Sequence, residues 1–293
     1  MTDLRRVARQ VAKEAFCASL EGLSFVDRSL RYDSDFEWLI ILTMPNSGST
    51  ALARLLMTAN STIALTEQCE GEWLIPSMSN LRHRWDEDLR LSMSRVRARW
   101  MWRLRAMKTG SPKLVIEKSP PNMVRIDRIR AALAPMAAHT VVLVRDPYAV
   151  CESWHRRYGR EQLSRTSLTA LQHVDSERDY FRLLGECWVQ RGTYLVEQLP
   201  KALSVVRYEE LVMDPGAVTA ELAKKIPMLS DVQSNAEVRV KDYAAQALTD
   251  MNSQQIDALT TEQIDAITCG LERGIDTVKA LGYTLRHERS ARP

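Results

Sequence analysis

Three stretches of this chain carry residue types that can handle an anion. The first is Pro45-Asn46-Ser47-Gly48-Ser49-Thr50, a run of turn formers and capping hydroxyls between an apolar run, residues 38–42, and the helically spaced Leu52, Leu55 and Leu56. A strand feeding a helix through such a turn aims free backbone N–H groups and the positive end of the helix dipole at one spot, where phosphate or sulfate binds. The second is Arg145 with Ser153, eight residues apart in RDPYAVCES. A guanidinium offers a planar fork to phosphate oxygens, and a serine adds a hydroxyl. The third, residues 62–72, holds Glu67, Glu70 and Glu72, any of which can serve a hydroxyl acceptor as general base. Plainer readings stand beside each: an ordinary strand-to-helix connection, a salt bridge from Arg145 to Asp146 or Glu152, and surface carboxylates or helix caps.

The elements that must position these residues follow from the pattern. Residues 38–42 are too short for an isolated helix and read as a strand buried on both faces, which Pro45 ends. HTVVLVRD, residues 139–146, reads as a β-branched strand with Pro147 at the first position of a helix that runs through Arg157. A third strand, residues 114–117, ends at Lys118, where Ser119-Pro120-Pro121 breaks it. A fourth, residues 203–207, turns through Tyr208-Glu209-Glu210 towards a helix near Pro215. Strands alternating with helices predict an α/β fold, a mainly parallel central sheet flanked by helices, with ligands at the carboxyl ends of the strands.

The turn is not a Walker loop, G-x-x-x-x-G-K-[ST], because Thr43 and Ser49 stand where its first glycine and its lysine belong. A P-loop nucleotide kinase is therefore disfavoured. The turn instead resembles P-[KR]-S-G-[ST]-[ST], the 5′-phosphosulfate loop of sulfotransferases that use 3′-phosphoadenosine-5′-phosphosulfate (PAPS). RDPYAVCES resembles the 3′-phosphate site of the same family, R-D-P-x-x-x-x-x-S. LVIEKSPPNMVR looks like the central strand and turn of bacterial and heparan-type members, and LSVVRYEELVMDP like the late strand and acidic turn. The resemblance runs from about residue 36 to about residue 215, with a weaker echo before Leu281-Gly282-Tyr283.

This resemblance implies a P-loop-like sulfotransferase fold and PAPS as donor, with adenosine 3′,5′-bisphosphate (PAP) as product. It assigns Pro45, Asn46, Ser47, Gly48, Ser49 and Thr50 to the 5′-phosphosulfate and Arg145 and Ser153 to the 3′-phosphate; Tyr208 is a candidate for the nucleotide wall, beside the plainer reading of a structural tyrosine at a strand end. Lys118 matches the lysine of E-K-S-P that lies near the sulfate in the heparan-type enzymes; the competing reading is a surface lysine paired with Glu117 or Asp127. Members acting on tyrosines or sugars often place a glutamate soon after the loop helix. Glu67 is the first candidate, with Glu70 and Glu72 behind it. The implied reaction moves a sulfuryl group to a hydroxyl or amine of a small-molecule, sugar or peptide acceptor. Asn46 departs from the family's Lys or Arg and brings no charge. The alternative is thus a catalytically weak or inactive PAPS- or PAP-binding protein. The R-K-G triplet of the cytosolic animal enzymes is not found.

At 293 residues and 45% hydrophobic content, the chain suits a single domain over 1–293, with an N-terminal helical segment, 1–35, and a helical acceptor-side insertion, 77–110. Leu4, Val7, Val11 and Phe16 are expected to pack the first helix on the domain. The Arg- and Trp-rich insertion reads as a solvated helical face packed through Leu89, Met93, Val96, Trp100 and Leu104, or as a lid over the acceptor. Forty Lys and Arg against 37 Asp and Glu give a net charge of +3, too balanced to imply nucleic acid. No run has the length of a membrane span, and five scattered cysteines suit reduced thiols in a cytoplasm. No Cys or His spacing suggests a metal.

Overall fold

A computed structural model describes residues 2–27, 30, 33–80, 83–87, 90–107, 113–166, 174–240 and 245–286. Five strands, β1 (Phe36–Thr43), β2 (Thr62–Ile63), β3 (Lys113–Glu117), β4 (Ala138–Val144) and β5 (Ser204–Arg207), form one sheet in the order β2-β3-β1-β4-β5. Every pairing is parallel; Leu39 of β1 faces Ile116 of β3 on one side and His139 of β4 on the other. The sheet is the mainly parallel one expected.

β1 is central because its side chains are apolar on both faces. Trp38, Ile40 and Leu42 enter one core, and Leu39 and Ile41 enter the other, all fully buried. Each such side chain contributes about 1.5–3 kcal/mol by leaving water. The chain places β2 and β3 on one side of β1 and β4 and β5 on the other, so a crevice opens at the carboxyl ends of β1, β3 and β4.

The helices of the described residues are α1 (Thr2–Leu23), α2 (Ser49–Leu56), α3 (Met93–Ala106), α4 (Ile126–Leu133), α5 (Pro147–Thr166), α6 (Glu177–Gln198), α7 (Tyr208–Met213), α8 (Pro215–Lys225), α9 (Asn252–Asp257), α10 (Thr261–Glu272) and α11 (Ile275–Ala280). α5 bends at Gly159, whose φ of 63° is not helical. α10 begins with a capping box between Thr260 and Gln263.

The first helix packs differently from expectation. Val7 and Val11 remain 54% and 62% exposed, and the side chain of Leu4 lies outside the described residues. α1 instead docks on α3 through buried Cys17 and Leu20, the Glu21 carboxylate on Ser92 and Arg95, and Phe16 edge-on to Trp102 at 5.0 Å. Its apolar residues are too few for a continuous stripe, and polar contacts close the joint. In α3 the expected stripe is buried at Val96, Trp100 and Leu104, while Leu89 lies outside the described residues. Trp100 stacks on Trp38 at 5.3 Å.

Candidate functional site

The turn after β1 is built on two left-handed residues, Asn46 at φ 65° and Gly48 at φ 94°. Asn visits this region more readily than other side-chain-bearing residues, and Gly enters it without penalty. A Cβ on Gly48 would lie 2.5 Å from the Tyr208 ring, so the chain passes where only glycine fits. Gly48 caps α2 without a side-chain hydrogen bond, which leaves the first-turn N–H donors to a ligand. Gly48, Ser49, Thr50 and Ala51 all line a cavity of about 320 Å³.

Arg145, at the end of β4, lines the same cavity and is 5% exposed. Its guanidinium donates to Asn46 O at 2.8 Å, Asn252 Oδ1 at 2.7 Å and Gln255 Oε1 at 2.7 Å, and lies 4.1 Å from the Tyr208 ring centroid. None of these partners is a carboxylate. Asp146 pairs with Arg286 and Glu152 with Arg156, so neither serves as the counter-ion considered from sequence. Three of the five guanidinium donors are used in this way, and Ser153, Arg156 and Arg157 line the same cavity. A buried cation with neutral partners only is a place for an incoming anion.

A second cavity, about 220 Å³, adjoins the first, and Asn46, Ser49 and Thr50 line both. Lys118 borders it with its side chain 3% exposed and its Nζ 2.5 Å from Glu70 Oε1. The other oxygen of Glu70 accepts from Trp73 Nε1 at 2.6 Å. Beneath them, Glu117 accepts from the backbone of Gly71 and Ser119 and from Asn122, fixing the turns on either side of Lys118. Burial pushes the Glu117 carboxyl up to about 7 against the pull of those hydrogen bonds.

The three candidate bases separate in space. Glu70 lines the second cavity. Glu72 is fully buried, pairs with Arg84 and is pushed up to about 8 by burial. Glu67 points to solvent with an 84% exposed side chain, 3.6 Å from Arg54, and lines neither cavity. Pro45 borders the second cavity and accepts from Trp154 Nε1 at 2.9 Å, whereas Ser47 is buried below the turn. Tyr208 lines the first cavity and also ties down the far wall, its hydroxyl donating to Thr249 O at 3.0 Å.

Several lining residues were not singled out by the sequence reading. Arg156 and Arg157 follow Ser153 by three and four positions on α5, a helical spacing that puts them on one face. Val238, Val240 and Gln246–Thr249 close the first cavity without regular structure and so carry no periodic signal. Arg191 lines the second cavity from the buried stripe of α6, three residues after Trp188. From the insertion, Arg84 and Trp85 reach that cavity, while Trp100 belongs to the core. Arg125 donates to Arg84 O at 2.7 Å and so supports this segment.

A parallel α/β sheet with a left-handed, glycine-containing turn leading from the carboxyl end of its central strand into α2 defines the class. A model of the sulfotransferase family matches residues 39–226, and the chain belongs to that family. Among solved structures the fold is similar to sulfotransferase STF9 from Mycobacterium avium, with a TM-score of 0.55 and 15% identity over 92% of this chain and 83% of that one. It is also similar to the sulfotransferase domain from the curacin biosynthetic pathway, at 17% identity over 85% of this chain and 99% of that one, with a TM-score of 0.48. No curated protein matches the chain.

Proposed function

We propose that the chain transfers a sulfuryl group from PAPS to a hydroxyl-bearing acceptor, the nucleotide occupying the larger cavity and the acceptor the smaller. The observation that carries this reading is the buried Arg145, without a carboxylate partner among the described residues, lining one cavity together with Ser153 and the uncapped start of α2. Two anion seats on one cavity suit a nucleotide with phosphates at both ends of its ribose. The residues present fit such a donor, which supplies an activated sulfuryl group.

The chain's own groups do the rest. Backbone N–H groups of Ser49 and Thr50 hold the 5′ end, and Arg145 with Ser153 holds the 3′-phosphate. Glu70, at the wall of the smaller cavity, accepts the acceptor's proton. Lys118 offsets charge at the leaving oxygen and orients Glu70 through their 2.5 Å contact. Asn46, Ser49 and Thr50, common to both cavities, mark where donor and acceptor meet.

Calorimetric titration with PAP tests the donor half, with ATP as the control ligand. PAP is expected to bind in preference to ATP, and Arg145→Ala to weaken it by about tenfold or more, as for loss of a charge-assisted hydrogen bond. A circular dichroism melt checks that the variant folds. Equal binding of PAP and ATP would contradict the proposal.

A further inference from the structure

Arg191 has a different relation to its surroundings from the other cations of the smaller cavity. Lys118 is matched by Glu70, and Arg84 donates a hydrogen bond to Glu72. Arg191 is 7% exposed and makes no hydrogen bond or ion pair among the described residues. Its guanidinium lies 4.4 Å from the ring centroid of Trp85 and 4.9 Å from that of Trp154. Aromatic faces favour the cation but satisfy none of its five N–H donors in their plane. A buried guanidinium left so carries a desolvation penalty that an anion in the cavity would relieve. The charged side chains lining the cavity are Lys118, Arg84 and Arg191 against Glu70, which leaves it attractive to negative charge.

We propose that Arg191 is the seat for an anionic group on the acceptor, so that the acceptor is a small hydroxylated carboxylate or phosphate with an apolar body. This rests on the reading of the smaller cavity as the acceptor site. The anion docks on Arg191, the apolar body lies against the aromatic wall that includes Trp73 and Tyr158, and the hydroxyl is directed to Glu70 and Lys118. A volume of about 220 Å³ suits a single ring with its substituents. The cation is fixed in place by two indoles, so little ordering is needed when the anion arrives.

The test uses the tryptophans of the cavity as reporters. Wild-type protein is titrated with 3-(4-hydroxyphenyl)propanoate and with 6-hydroxyhexanoate, each against its primary amide, following tryptophan fluorescence with and without PAP. At least one acid is expected to bind about tenfold or more tightly than its amide, the scale of a charge-assisted contact. Arg191→Met removes the difference, Arg191→Lys keeps part of it, and PAP affinity stays within about threefold in both, because Arg191 does not line the larger cavity.

If neither acid exceeds its amide on wild type, whether all four ligands bind or none does, the proposal is overturned without recourse to a variant. It is also overturned if Arg191→Met weakens PAPS far more than PAP, since Arg191 would then hold the sulfuryl group instead. The acid and amide comparison made without nucleotide stands by itself. Failure of PAP to bind wild type would remove the donor reading and leave the anion seat in place.

Discussion

Asn46 stands where the family resemblance expects a cation, and its backbone supplies a physical reason. At φ 65° it occupies the left-handed region, where Asn is several-fold enriched over other side-chain-bearing residues. The positive charge lies instead in Lys118, Arg84 and Arg191 around the smaller cavity. If Lys118 carries the electrostatic role, Lys118→Met lowers kcat by about 10²–10³ while PAP affinity, read by calorimetry, holds. Glu70→Gln lowers kcat by about 10²–10⁴, as for loss of a general base, and Glu67→Gln leaves it unchanged. Equal losses in Glu67→Gln and Glu70→Gln would move the base. Glu72 answers to pH through stability. Burial raises its folded value from 4.5 to about 8, so the folded state holds a proton that the unfolded state has released. Stability therefore falls as pH rises through that window, and Glu117 adds a change of the same sign up to about 7. The Tm of Glu72→Gln is expected to fall less steeply than wild type between pH 5 and 8; parallel curves would contradict the assignment.

At the scale of elements, the strand, turn and helix around Gly48 act as one unit. Gly48→Ala places a Cβ against Tyr208 at φ 94°, which costs about 1–3 kcal/mol of strain and displaces the Tyr208 ring that stacks on Arg145. Lower thermal stability together with weakened PAP binding is expected; unchanged PAP affinity would show that the turn does not hold the nucleotide. β1 and β4 were legible in the sequence because each couples an unbroken apolar run to a chemically distinct end, Pro45 in one case and Arg145-Asp146-Pro147 in the other. The pairing of Arg145, at the end of β4, with Ser153, inside α5, was likewise legible as spacing across one strand-to-helix corner, RDPYAVCES. Separation of the three glutamates was not legible, since residues 64–75 follow no period: Cys69 turns left-handed at φ 57°, and Glu117 captures the N–H of Gly71 from another strand. Arg191 was hidden for a different reason. It occupies a position on the buried stripe of α6 where the periodicity calls for an apolar residue, and only a cavity beyond the helix explains a cation there.

Across the whole molecule, Arg145 joins parts far apart in sequence: the turn at Asn46, the end of β4, and Asn252 and Gln255 of α9. A nucleotide on this joint binds the folded chain alone, so PAP at a hundredfold excess over Kd should stabilise it by about 2.7 kcal/mol. Scanning calorimetry reads this as a rise in Tm, which Arg145→Ala should lose. The central claim is spatial: two adjoining cavities share Asn46, Ser49 and Thr50, with the donor on one side and the acceptor on the other. A crystal structure of the chain with PAP tests it most directly. The nucleotide is expected in the larger cavity, its 5′-phosphate on the N–H groups of Ser49 and Thr50 and its 3′-phosphate on Arg145 and Ser153. A nucleotide lying in the Lys118 cavity, or a 3′-phosphate held away from Arg145, would contradict it.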